Sequence, residues 1–465
     1  MYTGDTIAAI ATALSPAGIN IIRISGDKAF SVTSSVFRSA RGKNFSDIPS
    51  GTVTYGFVEY NGEVIDEVMM LKMAAPHTYT REDVTEIHTH GGILVTKRVL
   101  EAILAAGARL AESGEFTKRA FLNGRIDLSQ AEAVMDIIGS GSDLARKNSM
   151  RQLRGDLRAV IDDIREKILQ ETAYIEAALD DPEHISLDGF IDALCPVVDS
   201  VLARLTDLLY SFETGKIIRD GLNVVIAGRP NAGKSSLLNA LLKEERAIVT
   251  SVAGTTRDTI SESLDIGGLI LNLTDTAGIR RSDDLVESIG IDRARKAANE
   301  AQLILYLIDT PLGITEEDNE NLKSFAGKRV ILIYNKDDLV VTKDTAENNG
   351  SLKLSPDASG FSQVRISALT GDGIEELKAM IKNMFLAGSL ESGHDILITN
   401  VRHAEHIREA INSLELVRSG IREGVQEDLL SIDLIDAYKA LGMITGEEYR
   451  DDLADKIFSS FCMGK

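Results

Sequence analysis

Basic residues are scarce in this chain of 465 residues: 50 Lys and Arg stand against 71 Asp and Glu, a formal charge of −21. That balance excludes a protein coated in basic surface for nucleic acid, though not a local basic site. Cysteine is scarcer still, at two residues, Cys195 and Cys462. No disulfide framework is expected, and the usage suits a reducing cytosol. No apolar run approaches the ~18 residues of a membrane helix. The first residues also lack the basic start and apolar core of a signal peptide. A soluble, cytoplasmic protein with no membrane span is the expectation. Internal repeats and long low-complexity tracts are absent as well. What is present is a globular composition, 44% hydrophobic and 26% charged. The length suits about three domains at ~150 residues each.

The acidity is uneven. Residues 1–120 carry 12 basic and 13 acidic side chains, whereas residues 121–219 carry 11 and 18. The almost neutral first segment, 1–120, has short strand-like runs at 19–24, 52–58 and 68–73, and a helical pattern through Leu94, Val95, Val99 and Ile103. It reads as an α+β domain, with Asn61-Gly62 as a hairpin turn. Residues 121–219 and 386–465 read as helical, through Ile191, Leu194, Val198, Val201, Leu205 and Leu208, and through Ile407, Ile411, Leu414, Val417 and Ile421. Ser129 and Glu132 match a capping box at a helix start. Residues 220–385 alternate helices with apolar strands at 224–227, 269–273, 303–308 and 330–334, which predicts a largely parallel sheet. The simplest arrangement is an α/β multidomain protein in which this central domain is inserted into one all-α helical domain.

Residues 228–235, GRPNAGKS, fit GxxxxGK[ST] between the 224–227 strand and a helix over 236–242. That is the setting of a phosphate-binding loop. Asn231, Ala232 and Gly233, with Ser236 beyond them, belong to the cradle. Lys234 should reach the β- and γ-phosphates, and the Ser235 hydroxyl should ligate Mg²⁺. Asp275, Thr276, Ala277 and Gly278 follow the next strand. There Asp275 can hold the Mg²⁺ shell and the Gly278 N–H can sense the γ-phosphate. Asn335, Lys336 and Asp338 follow the 330–334 strand. The Asp338 carboxylate can accept two hydrogen bonds from the guanine edge, which adenine cannot supply, so the site should choose GTP. Ser367 and Ala368 support the base. In the loop Gly254-Thr-Thr-Arg-Asp258, Thr256 reads as a switch threonine that contacts Mg²⁺; the alternative is a plain polar loop. Ile279 follows Gly278 where Ras-like enzymes use Gln to orient water. Isoleucine cannot do this, so the helper comes from elsewhere. Glu287 is the candidate, with a solvated surface carboxylate as its alternative.

Other residues carry weaker signals. Cys462 reads equally as a catalytic thiol or as a small buried residue docking the tail. Cys195, beside Pro196, reads as core. His88 and His90 could share a strand face as a metal pair, but no third ligand is evident, so a structural role is expected. His403 and His406 read as surface or interface residues. Lys97, Arg98, Arg109, Lys118, Arg119 and Arg125 form the densest basic group outside the central domain. Their role stays open between the acidic tail of a ligand, a nucleic-acid backbone, a protein partner and ordinary solvated helix faces.

Several stretches taken together resemble the MnmE (TrmE) family of tRNA-modification GTPases along the whole chain. They are Arg23-Ile-Ser-Gly26, Glu82-Asp-Val-Thr-Glu86 with His90-Gly-Gly92, and Gly114-Glu-Phe-Thr-Lys-Arg-Ala-Phe-Leu-Asn123. Residues 228–236, 254–258 and 275–278 continue the likeness, and Ile457-Phe-Ser-Ser-Phe-Cys-Met-Gly-Lys465 ends it. The resemblance implies a folate-binding-like, dimerising N-terminal domain and an inserted Ras-like P-loop GTPase domain. It implies that Arg23, Glu86, Arg125 and Lys465 bind 5-formyltetrahydrofolate or another one-carbon tetrahydrofolate; the family commonly has Lys where this chain has Arg125. It also implies a homodimer whose GTPase domains meet across their nucleotide faces and need K⁺. The K⁺ ligands would be Asn231, Thr250, Val252 and Thr255, within a nucleotide-contacting loop that also holds Ser251, Ala253, Gly254 and Thr256. Such a K⁺ would stand where an arginine finger acts elsewhere, with Arg257 as the rival. Glu287, Thr256 and Lys234 would be the catalytic residues, and Cys462 belongs to the terminal Cys-x-Gly-Lys signature. The family works with an FAD-dependent flavoprotein, MnmG (GidA), to place an aminomethyl-type group on C5 of the wobble uridine of tRNA. The acidity of this chain suggests that the partner carries most tRNA contacts. A ribosome-assembly GTPase and a folate-sensing, GTP-controlled scaffold are the competing functions.

Overall fold

The computed structural model describes residues 4–244, 261–275, 301–339, 360–386, 396–447, 457–459, 461 and 464. The chain divides into two compact units. One comprises residues 1–135, 152–169 and 438–465, and the other 136–151 and 170–437.

The first unit is built on strands β1 (Ile7–Ile10), β2 (Ile19–Ser25), β3 (Phe37–Ser39), β4 (Thr52–Tyr60), β5 (Glu63–Met73), β6 (Val84–His90) and β7 (Arg109–Leu110). They form one sheet in the order β3-β4-β5-β6-β2-β1-β7. All pairs are antiparallel except β1 with β7. The β4–β5 hairpin turns at Asn61 and Gly62, with φ of 53° and 80°; positive values at both central residues suit a tight two-residue turn. Helices α1 (Ala29–Val36) and α2 (Ile93–Ala105) cover one face of the sheet. Ile22, Ile24, Val58, Met70 and Ile87 point into that core against Val32, Val99 and Ile103. Because side chains alternate along a strand, the other face receives Arg23 and Glu86.

Helix α3 (Glu115–Leu122) and the start of α4 (Leu128–Gly139) follow in this unit. Ala120, Leu128 and Ala131 pack with Phe458 and Phe461 of the chain's end. Gly114 has φ +68°, and a Cβ there would lie 2.5 Å from the Phe458 carbonyl oxygen. The tail thus needs glycine at the entrance of α3. The capping box of α4 is not made by Ser129 and Glu132 as expected. Asp127 accepts from the Gln130 N–H at 2.8 Å, and the Gln130 side chain accepts from the Asp127 N–H at 2.9 Å. Ser129 instead donates to Asp127 at 2.7 Å. Both sequence frames satisfy the pattern, and the carboxylate is the better acceptor.

The second unit holds the parallel sheet. Strands β8 (Leu222–Gly228), β9 (Ser261–Ile266), β10 (Leu269–Asp275), β11 (Leu303–Asp309), β12 (Val330–Asn335) and β13 (Ser362–Arg365) take the order β13-β12-β11-β8-β10-β9. Only the β9–β10 pair is antiparallel. Strand β11 is buried along its whole length. Leu303, Leu305 and Leu307 feed one core, while Ile304, Tyr306 and Ile308 feed another. Burial on both faces is what its continuous apolar sequence encodes.

Helices α5 (Asp143–Arg154), α6 (Asp156–Asp180), α7 (Phe190–Asp220), α8 (Lys234–Glu244), α9 (Glu316–Ser324), α10 (Ile374–Leu386), α11 (Val401–Glu423) and α12 (Glu427–Thr445) follow along the chain, and residues 457–459 are helical as well. Helix α7 packs on α11, burying Leu194, Val198, Val201, Leu205 and Leu208 of the predicted stripe, with Ala404, Ile407, Leu414 and Val417 of α11 also buried. Two expectations fail here. His403 is fully buried, its Nε2 3.0 Å from the Arg402 guanidinium, rather than a surface residue. Cys195 is half-exposed on α7, with Sγ 3.9 Å from the Asp199 carboxylate, rather than core.

Candidate functional site

The carboxyl ends of the parallel strands converge. Gly228 ends β8, Asp275 ends β10, Asp309 ends β11 and Asn335 ends β12. Open α/β sheets bind ligands at such a crevice, because both faces are filled and only the strand ends are free. From β8 the chain turns through Asn231 at φ +63° and Gly233 at φ +99° into α8. A Cβ on Gly233 would stand 2.1 Å from the Asn335 side-chain nitrogen, so the position requires glycine. Lys234 Nζ donates to the Gly228 and Arg229 carbonyls, both at 2.8 Å. Asn231, Ser235 and Ser236 are exposed around Lys234, and Ala232 is buried beneath.

Asn335 is the keystone. Its amide donates to the Ala232 carbonyl at 2.8 Å and accepts from the Ala368 N–H at 3.0 Å. It thereby ties the phosphate loop to the base-side loop. Ser367 donates to the Asp338 carboxylate at 2.6 Å, fixing the group that would read guanine. Lys336, at φ +68°, pairs with Asp309 at 2.6 Å, and Thr310 donates to the Asn335 carbonyl at 2.7 Å. Sequence reasoning missed Asp309 and Thr310. Their signal is an acidic-hydroxyl pair at the end of a fully apolar strand. Thr250, Ser251, Val252, Ala253, Gly254, Thr255, Thr256, Thr276, Ala277, Gly278 and Glu287 lie outside the described residues, as does the side chain of Asp275.

In the first unit a second group assembles. Arg23 on β2 and Glu86 on β6 are register partners, and their side chains pair at 2.8 Å. The Arg23 guanidinium lies 5.8 Å from the Tyr79 ring centre and 5.7 Å from that of Phe116. Arg125 lies over the same Tyr79 ring at 4.7 Å. Tyr79 therefore joins Arg23, Glu86 and Arg125, and its hydroxyl is held by Thr117 at 2.9 Å. A cavity of about 480 Å³ lies on the Tyr79–Arg125 side of this group, lined by Met73, Pro76, His77, Thr78, Tyr79, Arg81 and Arg125. Sequence reasoning missed Tyr79 and Arg81, whose nearest signal was the Glu82–Glu86 stretch that follows them. Lys465 and Cys462 lie outside the described residues. Gly464 packs against Ile10, where a Cβ would sit 2.4 Å from the carbonyl oxygen. Gly464 thus lies beside the end of β1, whose Ala9 pairs with Arg23.

The basic group separates into two kinds. Arg119 is only 2% exposed and bonds Asp5 at 2.8 Å, Glu115 at 3.0 Å and Glu82 at 3.1 Å. Arg109 grips Glu115 at 2.7 Å and Asp5 at 2.7 Å. These two are consumed by internal pairing and are not a surface for phosphate. Burial alone would raise the Glu115 carboxyl; bonds from Arg109, the Glu112 N–H and Arg119 outweigh it and hold the group below its usual range. Asp5 is lowered in the same way, against burial, by Arg109 and Arg119. Of the histidine pair, His90 Nδ1 meets Asp66 at 2.8 Å and His88 lies 3.6 Å from Glu86. Among the described residues no cluster that could hold a metal ion is found. No described helix is long and apolar enough to cross a membrane.

Comparison with known proteins agrees with this geometry. A model of the GTP-binding protein TrmE N-terminus matches residues 6–125, and one of the MnmE helical domain matches 128–462. The tRNA modification GTPase MnmE of Lachnoclostridium phytofermentans is 51% identical over 99% of both chains. That of Acetivibrio thermocellus is 46% identical over 100% of both. That of Lactococcus lactis subsp. cremoris is 44% identical over 99% of this chain and 98% of its own. With the whole chain covered at such identity, this protein belongs to the MnmE (TrmE) family of tRNA modification GTPases.

Proposed function

We propose that this GTP hydrolase of tRNA modification works as a K⁺-dependent homodimer with an FAD-containing flavoprotein partner. Together they add an aminomethyl-type group to C5 of the wobble uridine, using a one-carbon tetrahydrofolate. The convergence of Arg23, Glu86 and Arg125 on Tyr79 carries the folate part of this reading. An acceptor carboxylate, an aromatic ring and cations suit the donor edge, ring and carboxylates of a folate. Lys465 would close the same site from the tail, with Cys462 beside it as a thiol that could take part in the chemistry.

At the nucleotide site, the γ-phosphate would replace the two carbonyls now bound to Lys234. Ser235 and Thr256 offer hard oxygen donors to Mg²⁺, assisted by Asp275. Asn231, turned outward at the loop's crest, suits K⁺ together with Thr250, Val252 and Thr255. Such a K⁺ would supply positive charge to the transferring phosphoryl group. Glu287 would orient and activate the attacking water, a role that Ile279 cannot fill. Dimerisation of the first unit is supported by its sheet face: Ile19, Val53, Tyr55 and Met69 are 49%, 58%, 49% and 41% exposed there. An apolar patch of this kind on a soluble domain is a docking surface, and a two-fold axis lets each copy cover the other's.

The test is GTP turnover by the full-length chain in matched K⁺ and Na⁺ buffers, with and without the flavoprotein. Turnover should rise at least about tenfold in K⁺, as one added charge at the transition state would give. Equal rates in both salts would refute the K⁺ assignment.

A further inference from the structure

We infer that Arg81 and Arg125 form a carboxylate clamp for the glutamate tail of a one-carbon folate, favouring γ-linked polyglutamate forms over the monoglutamate. This rests on the folate reading above and extends it to a residue outside the expected set.

The two guanidinium groups line one cavity of about 480 Å³. Among the described residues neither has a carboxylate partner, whereas Arg23, Arg109 and Arg119 in the same unit are all paired. Unneutralised guanidinium groups at a concave wall make an anion site, and their planar fork matches a carboxylate. Arg81 is also held in an uncommon conformation, at φ +60°. Its turn is locked from two sides. Asn123 donates to the Thr80 carbonyl at 2.6 Å and accepts from the Arg81 guanidinium through its own carbonyl at 2.9 Å. Thr78 donates to the Glu82 carbonyl at 2.7 Å. A non-glycine residue in the left-handed region persists only where its surroundings enforce it, and such positions cluster at binding sites.

The order of groups gives the direction of the ligand. Glu86 is an acceptor suited to the amino edge of a pterin. Tyr79, with the Arg23 and Arg125 guanidinium groups over its ring, joins it to Arg125. Arg81 and Arg125 then meet the carboxylates. A nucleic-acid backbone would call instead for an extended basic stripe, and the nearby Arg109 and Arg119 are spent on internal pairing.

The test measures binding of 5-formyltetrahydrofolate and its triglutamate to the full-length chain by titration calorimetry. Arg81→Asn removes the charge and still accepts the left-handed backbone. Arg125→Gln, at a site without that strain, is the second variant. The wild-type chain should bind the triglutamate about fivefold more tightly, the range of a partly exposed ion pair. Arg81→Asn should lose this preference and keep its monoglutamate affinity within about twofold, whereas Arg125→Gln should lose the preference and also bind the monoglutamate more weakly. Equal wild-type affinity for the two forms, or a preference that survives both substitutions, overturns the clamp while leaving the folate reading intact. No binding of either form to the wild-type chain overturns the folate reading itself. Weaker tRNA binding in both variants with folate binding unchanged would assign the pair to phosphate and also overturn the clamp.

Discussion

The two sheets of this molecule solve the burial problem differently, and the difference decides where each can hold a ligand. In the second unit, β11 feeds a core on each face, so only the strand ends remain for chemistry. The site there is made of loops, and consecutive residues after each strand supply it. In the first unit one face of the antiparallel sheet is packed on helices, and the other carries Arg23, Glu86 and an exposed apolar patch. Its candidate group, Arg23, Glu86, Tyr79 and Arg125, lies against the sheet and is built from residues far apart in sequence. An edge site depends on backbone geometry, whereas a face site depends on side-chain pairing and electrostatics.

That contrast can be broken at each site. The largest effect is expected at the strand ends. Asp338→Asn removes a carboxylate that would accept two hydrogen bonds from guanine, each worth about 1.5–3 kcal/mol. GTP affinity should fall at least a hundredfold while xanthosine triphosphate gains, measured by nucleotide competition. An unchanged GTP affinity would detach Asp338 from base recognition. Next comes the first unit's buried network. Arg119→Met leaves Glu82 without its arginine and Glu115 and Asp5 with Arg109 alone, and should cost about 3–5 kcal/mol in urea denaturation of the full chain. A loss below about 1 kcal/mol would mean that the network does not organise α3.

The smallest effects concern protons. Glu115 and Asp5 are depressed in the folded state, so their stabilising contribution is complete above the unfolded values, about 4.3 and 3.9. It is lost as pH falls through the lower folded values. Asp127 is opposite: burial raises it, so its ionised form costs stability at neutral pH. Asp127→Asn keeps a capping acceptor and should leave stability at pH 7 unchanged or raised by up to about 1 kcal/mol. Below about pH 4, urea midpoints of the wild-type chain should drop, and Arg119→Met should flatten that drop.

Much of the nucleotide site was legible because its motifs are local. The residues of 228–236, Asn335 and Asp338 each end or follow a strand whose apolar run announces it, whereas β13 before Ser367 reads Ser-Gln-Val-Arg and carries no such run. The folate-like group was legible only by family resemblance. Nothing in the spacing of Arg23 and Glu86 shows that β2 and β6 are neighbours, since three strands, β3, β4 and β5, intervene between them in sequence. Charge counting likewise could not separate Arg119, buried among carboxylates, from Arg125, which has no carboxylate partner among the described residues. The helix cap moved from Ser129 to Asp127 because two overlapping frames fit one pattern and only geometry chooses between them. His403 was misplaced because a histidine on an amphipathic helix carries no sign of which side it faces until the partner helix is known.

The central claim is that the nucleotide unit and the folate-like unit serve one reaction on tRNA. It is tested most directly by analysing wobble uridines in tRNA from a strain lacking this gene, complemented with the wild-type gene or with Arg23→Ala. The account predicts unmodified C5 in the deletion, restoration by the wild-type gene, and little or no restoration by Arg23→Ala despite normal GTP turnover in the purified variant. Full C5 modification in the deletion strain, or full restoration by Arg23→Ala, would contradict it.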